Sequence, residues 1–209
     1  MIRSKSLHKA NVAFLLDPRV PVPENAVFTS LFRGVEAQGI NFMDDPIIQT
    51  KVLSVPKAGL QVVWEGRRLR IEDNAALPPE DSRLPHRARE IFQKLFGEQK
   101  NALTGFGFNF DVYYQMRDVI RIDELFRRMA PAPSEFGTGL MDFGWQWTVQ
   151  RKDGKRLDGY FVKVTAPLEL VMHHNPHFNQ GTLPTEAEFV SLFADAYRSL
   201  DAVVENFDL

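Results

Sequence analysis

The sequence predicts an α+β fold, an antiparallel sheet with its helices packed on one face. Three observations point there. Phe106, Phe108, Phe110 and Val112 alternate with Gly107, Asn109 and Asp111, the period of a strand with one apolar face. Two stretches, 60–71 and 143–164, pair as hairpins that collect their large apolar residues on one side. Two others, 88–96 and 189–207, carry apolar residues at helical spacing. Up to residue 130 the order of elements is βαβββαβα. This is a ferredoxin-like βαββαβ-type arrangement with one extra strand before its central hairpin. An α-β-hairpin-α extension follows. Residues 1–130 and 131–209, the latter a β-hairpin plus C-terminal helix, are expected to pack as one compact domain.

Residues 12–16, Val-Ala-Phe-Leu-Leu, read as a buried-type strand that Asp17 and the prolines at 18, 21 and 23 end. The apolar run is shorter than the ~7–15 residues of a signal-peptide core, so the basic start, 1–9, is not read as a leader. Val27, Phe28, Leu31, Phe32 and Val35 make a helical stripe that Gly39 stops. Strands follow at 51–55, 60–64 and 67–72. A primed turn at Glu65-Gly66 would set Trp64 opposite Arg67, Val62 opposite Leu69 and Leu60 opposite Ile71. Ser82 caps a helix with Ala88, Ile91, Phe92, Leu95 and Phe96 inward and Gly97 at its end. Residues 103–116 form one long strand.

Ile122, Leu125, Phe126 and Met129 mark a short helix, and 130–139 is a Pro/Gly linker. Asp153-Gly154 turns the second hairpin, in which Trp147 faces Tyr160, Trp145 faces Val162 and Phe143 faces Val164. The returning strand is expected to continue past Pro167 through 168–172. Thr185-Glu-Ala-Glu188 is a capping box for the last helix. Its inner stripe is Phe189, Leu192, Phe193, Ala196, Leu200, Val203, Val204 and Phe207. No internal repeat is visible.

Composition narrows the function classes. The chain has 209 residues, 17 Phe, no Cys and a formal charge of −2. Without cysteine there is no disulfide, thiolate metal site or thiol nucleophile. The charge balance argues against a dedicated nucleic-acid binder. Gly105-Phe-Gly-Phe108 does not make an RNA-recognition strand either: Thr104 stands where a base is needed, Phe110 comes one residue early, and the segment follows the second helix. No run approaches the ~18 apolar residues of a membrane span. A cytoplasmic setting without membrane contact is the expectation.

Candidate chemistry is sparse. His173, His174 and His177 cluster around Asn175-Pro176, and two of them with a carboxylate would suit zinc or non-haem iron. On a strand, however, His173 and His174 point to opposite faces. The usual ligand spacings are absent, so no metal and no cofactor is assigned. Asp111 on the Phe strand, Asp142 at the start of the Trp strand and Asp158 on the other strand of that hairpin are the carboxylates placed to serve acid–base work. Tyr113, Tyr114 and Phe161 fall outside the main apolar stripes and are the expected exposed aromatics. Gly137-Thr-Gly139 precedes a strand and so is no phosphate loop. An arginine-rich middle and an acidic last helix could meet within the chain or across a homodimer.

These features favour a non-catalytic ligand- or protein-binding module with a homodimer or protein partner; a small-molecule ligand fits too. The alternative is a small enzyme or metal-binding protein built on the His173, His174 and His177 cluster with a carboxylate.

Overall fold

The computed structural model describes residues 2–33, 39–97, 99, 101–120, 143–152 and 154–205. Nine strands form one antiparallel sheet: β1 (Ile2–Leu16), β2 (Asn41–Asp45), β3 (Thr50–Val55), β4 (Leu60–Glu65), β5 (Arg68–Asp73), β6 (Leu103–Met116), β7 (Phe143–Gln150), β8 (Arg156–Ala166) and β9 (Glu169–Phe178). Their order across the sheet is β2-β3-β4-β5-β1-β6-β9-β8-β7. Three α-helices are described: α1 (Asn25–Thr29), continued by a 3-10 turn at Ser30–Phe32, α2 (Leu84–Phe96) and α3 (Glu186–Glu205).

The alternation of β1 and β6 decides which side is core. Val12, Phe14, Phe106, Phe108, Phe110 and Val112 all point to one face and are fully buried. The inner stripes of α2 (Ala88, Ile91, Phe92) and α3 (Phe189, Phe193, Ala196, Leu200) pack on them. Phe108 sits in the middle, with the rings of Phe106, Phe110, Phe178, Phe189 and Phe193 centred 5.3–6.4 Å away. The phenylalanine surplus is thus largely an aromatic core. The capping box forms: Thr185 N–H and Oγ1–H both donate to Glu188 Oε2, at 2.9 and 2.7 Å. It satisfies orphan donors at the start of α3.

The strand order repeats. β5, β4 and β3 lie outward of β1 in the sequence in which β9, β8 and β7 lie outward of β6. Each half ends in a helix, α2 or α3. With β1 and β6 antiparallel at the centre, the halves are related by an approximate two-fold axis normal to the sheet. The duplication is one of topology, carried by burial periodicity with no shared residue pattern.

Several expectations change. The sheet is wider than a βαββαβ unit: β2 is a strand with no counterpart in the spacing arguments, and β7 to β9 join the same sheet through β6–β9 pairing. β1 starts at Ile2, not at residue 12, because β6 is long enough to pair the basic start. The first hairpin turns at Gly66-Arg67, so Trp64 faces Leu69 and Val62 faces Ile71. Gly66 takes the left-handed conformation (φ +56°) that this turn position requires. A two-residue slip leaves every side chain on its predicted face. The Trp hairpin has the predicted register, Trp147 to Tyr160 and Trp145 to Val162.

The chain reverses after Ala166, where Pro167 ends β8, and Asn175-Pro176 lies inside β9 instead of turning it. The β6–β9 ladder carries no pairs between Gly107–His177 and Phe110–His174, beside Pro176. Proline brings no N–H to a ladder. The helix expected over 122–129, the linker 130–139, Asp142 and Phe207 lie outside the described residues.

Candidate functional site: the helix-free sheet face

The described helices pack on one face of the sheet, so the residues between the core positions form the other. There the structure brings together Asp111, Tyr113, His173 and Phe161. Asp111 pairs with His173 across β6–β9, and His173 with Phe161 across β9–β8. His173 Nδ1–H donates to Asp111 Oδ1 at 2.6 Å. A carboxylate can only accept, so Nδ1 is the donor in this contact. The hydrogen bond from His173, ahead of the opposing effect of burial, holds the Asp111 carboxyl below its ordinary value; Lys9 and His8 push the same way. Tyr113 is 43% and Phe161 39% exposed, as expected for this pair.

His8 and Lys9 had no signal in the sequence. A register shift between Leu7 and Lys9 marks a β-bulge. Bulges re-aim side chains, and here His8 comes edge-on to the Tyr113 ring at 5.3 Å. Lys9 pairs with Glu72 at 2.9 Å. Arg70 reaches Glu72 at 2.8 Å and Glu65 at 3.0 Å. These charges neutralise one another across β1, β5 and β4.

Two polar register rows cross the open face, one on each side of the stretch where β6 and β9 carry no pairs. Asn41, Ser54, Gln61 and Glu72 from β2, β3, β4 and β5 lead to Asn11 and Asn109 on β1 and β6. Asn175, Gly159 and Thr148 form the second on β9, β8 and β7. No lysine, arginine or large apolar residue interrupts either. Asn109 Nδ2–H donates to Asn11 Oδ1 at 2.6 Å.

The remaining candidates lie apart. His177 is on the open face but reaches Asn179 at 2.9 Å, and its ring leans over Gly105. His174 is fully buried on the helix side. It stacks on Tyr160 with ring centroids 4.6 Å apart and meets Asp158 at 3.3 Å. Burial lowers its pKa, against the opposing pull of Asp158. Asp158 also accepts from Arg151 Nε–H at 2.5 Å and Arg156 Nε–H at 2.6 Å.

Tyr114, expected to be exposed, is buried on the helix side, since successive strand residues alternate faces. Its hydroxyl donates to Asp201 at 3.0 Å. Lys5 meets the same carboxylate at 2.8 Å and lies over the Tyr197 ring at 3.5 Å. Burial, reinforced by Asp201, pushes the Tyr114 phenol well up and Tyr197 up to about 12. This cluster clamps β1 and β6 to α3.

The histidines therefore split between two faces, each with its own carboxylate. Among the described residues no three His, Asp or Glu side chains gather to hold a metal ion. A hollow of ≈ 240 Å³ lies on the helix side between α2 and α3, lined by residues such as His86, Val190 and Tyr197, away from the Asp111–His173 pair. Between the arginine-rich middle and the acidic last helix the contacts include His86 Nδ1 with Glu186, 2.5 Å apart, and Arg89 Nε–H donating to the Pro184 carbonyl at 3.1 Å. Among the described residues no helix is long and apolar enough to cross a membrane.

No protein-family model matches the chain, and no curated protein does. Among solved structures it is similar to Methanococcus jannaschii TBP, at 8% identity and a TM-score of 0.30, over 93% of this chain and 98% of that one. A resemblance that slight does not bear on function.

Proposed function

We propose that the protein is a non-catalytic binding module whose recognition surface is the helix-free face of the sheet, centred on Asp111, Tyr113, Phe161 and His173. The observation that carries this reading is the one-sided packing. Among the described residues no helix covers the other face of the nine-stranded sheet, and the exposed aromatics Tyr113 and Phe161 stand on it near the hydrogen-bonded Asp111–His173 pair. Isolated surface aromatics need no explanation, but a group of them at the middle of a broad face marks an interaction site.

A second reading is favoured by one contact. A carboxylate hydrogen-bonded to His Nδ1 is the arrangement that orients a general base. Against it, among the described residues no three His, Asp or Glu side chains gather to hold a metal ion. The partner expectations follow the first reading: a cytoplasmic protein that binds a ligand or protein partner, itself included, with nucleic acid disfavoured because the cations Lys9 and Arg70 are already paired.

Backbone-amide NMR of the full chain, titrated with neutral oligosaccharides, mixed-charge peptides and nucleotides, tests the reading. Saturable shifts should gather around Tyr113, Phe161 and His173. Shifts confined to the α2–α3 hollow would refute it. Turnover of ester or glycoside substrates that His173→Gln abolishes would establish the enzyme instead.

A further inference from the structure

Resting on the open face as the recognition surface, we propose that its β9–β8–β7 end binds a neutral oligosaccharide chain running across the strands. Four features of that end agree. The first is hydrogen-bonding chemistry. Asn175 and Thr148 lie in the second polar row, and Gln146 flanks it on β7. Carboxamides and hydroxyls both donate and accept, as sugar hydroxyls do, whereas a charged row would select an ion.

The second is charge. Lys9 and Arg70 on β1 and β5, the nearest cations toward the centre of the face, are held by Glu72 and Glu65, and His173 on β9 is held by Asp111. A phosphate, sulfate or uronate would have to compete with those carboxylates. A neutral chain displaces nothing.

The third is relief. Gly159 leaves a dip in the row: a Cβ there would meet only Asn175, at 3.6 and 3.8 Å. Two residues along β8 stands Phe161, 39% exposed, its ring end against Gly144 on β7, an apolar surface for the C–H side of a pyranose.

The fourth is spacing. Row positions on adjacent strands are ~4.8 Å apart, close to the roughly 5 Å repeat of a linear β-linked pyranose chain, while same-face side chains of an extended peptide recur every ~6.7 Å. One sugar per strand keeps step with the row; a peptide does not.

The test is titration calorimetry of the full chain with cellohexaose, xylohexaose and chitohexaose. A heparin hexasaccharide and a polar decapeptide serve as comparators. At least one neutral hexasaccharide should bind saturably. Asn175→Ala and Gly159→Val should each weaken it by about tenfold or more, with melting temperatures confirming the fold. Should Gly159→Val not fold, Gln146→Ala takes its place. Arg198→Ala, in the α2–α3 hollow, should leave binding unchanged.

If none of the three neutral sugars saturates, or if Asn175→Ala binds as the parent does, the sugar assignment is overturned. Binding of only the heparin fragment or the peptide, lost in Phe161→Ala, overturns the sugar assignment and leaves the open-face reading standing. Binding lost in Arg198→Ala and kept in Asn175→Ala and Phe161→Ala overturns both.

Discussion

Replacing Asp158 with asparagine should destabilise the protein by about 3 kcal/mol at neutral pH, at the lower end of what breaking a buried ion pair costs. The carboxylate is fully buried and accepts from Arg151, Arg156 and His174. Burial by itself would push the carboxyl up. The three donors outweigh it and hold the group at about 2, against an ordinary 3.8. That difference corresponds to about 2 kcal/mol of stability from the ionised form. The variant also strands Arg156, whose side chain is 16% exposed, while Arg151, at 46%, can turn to water.

The pH dependence has a definite sign. A depressed carboxyl contributes stability that is present above 3.8 and lost as pH falls towards 2. His174, whose pKa burial lowers, is held neutral in the fold, so stability also falls as pH drops below its ordinary 6.5. Urea unfolding followed by circular dichroism, at pH 7 and at steps down to about pH 2, measures both effects. The gap between parent and variant should be widest at neutral pH and narrow through the acid range. A gap under about 0.5 kcal/mol at neutral pH, or one unchanged at the acid end, would refute the reasoning.

Phe108→Ala should cost about 3–5 kcal/mol in the same assay, because five rings lose a neighbour. A double-mutant cycle with Phe193, edge-on at 5.3 Å, should give a coupling of about 0.5–1.5 kcal/mol. Thr185→Ala removes the α3 cap and should cost about 1 kcal/mol. Gly159→Ala should change stability by less than about 0.5 kcal/mol, since its Cβ meets ordinary contacts. Gly107→Ala should cost about 1–3 kcal/mol, since its Cβ would come 2.9 Å from the Pro176 carbonyl oxygen. Tyr113→Ser, on the exposed face, should shift the unfolding midpoint by no more than the equivalent of about 0.5 kcal/mol.

What could be read from the residues depended on how local the determinant was. The Trp hairpin register follows from Asp153-Gly154 and from Trp145 and Trp147 facing Val162 and Tyr160, all within twenty-odd residues. The first hairpin has glycine at Gly66, but Glu65-Gly66 and Gly66-Arg67 are both two-residue loops, and the apolar pattern is blind to a shift by two. β2, Asn-Phe-Met-Asp-Asp, is short, polar and mostly exposed, so nothing in its period separates it from a loop. Asn175-Pro176 has the composition of a turn, yet β6 and β8 hold it straight from both sides.

The candidate site divides the same way. Asp111, Tyr113 and Phe161 follow from strand alternation. His8 depends on a bulge set by the mismatch between β1 and β6, which no local pattern encodes. The polar rows are written one residue per strand, so they exist only once the register is known.

Hydroxyl-radical footprinting of the full chain, with and without the tightest-binding member of the ligand panel, is the most direct measurement of whether recognition occurs on the open face. Tyr113, Phe161 and His173 should be oxidised in the free protein and protected in the complex, while Tyr197 and His86 by the α2–α3 hollow keep their free-state rates. Protection of Tyr197 and His86, with Tyr113, Phe161 and His173 unchanged, would place recognition on the helix side and contradict the account.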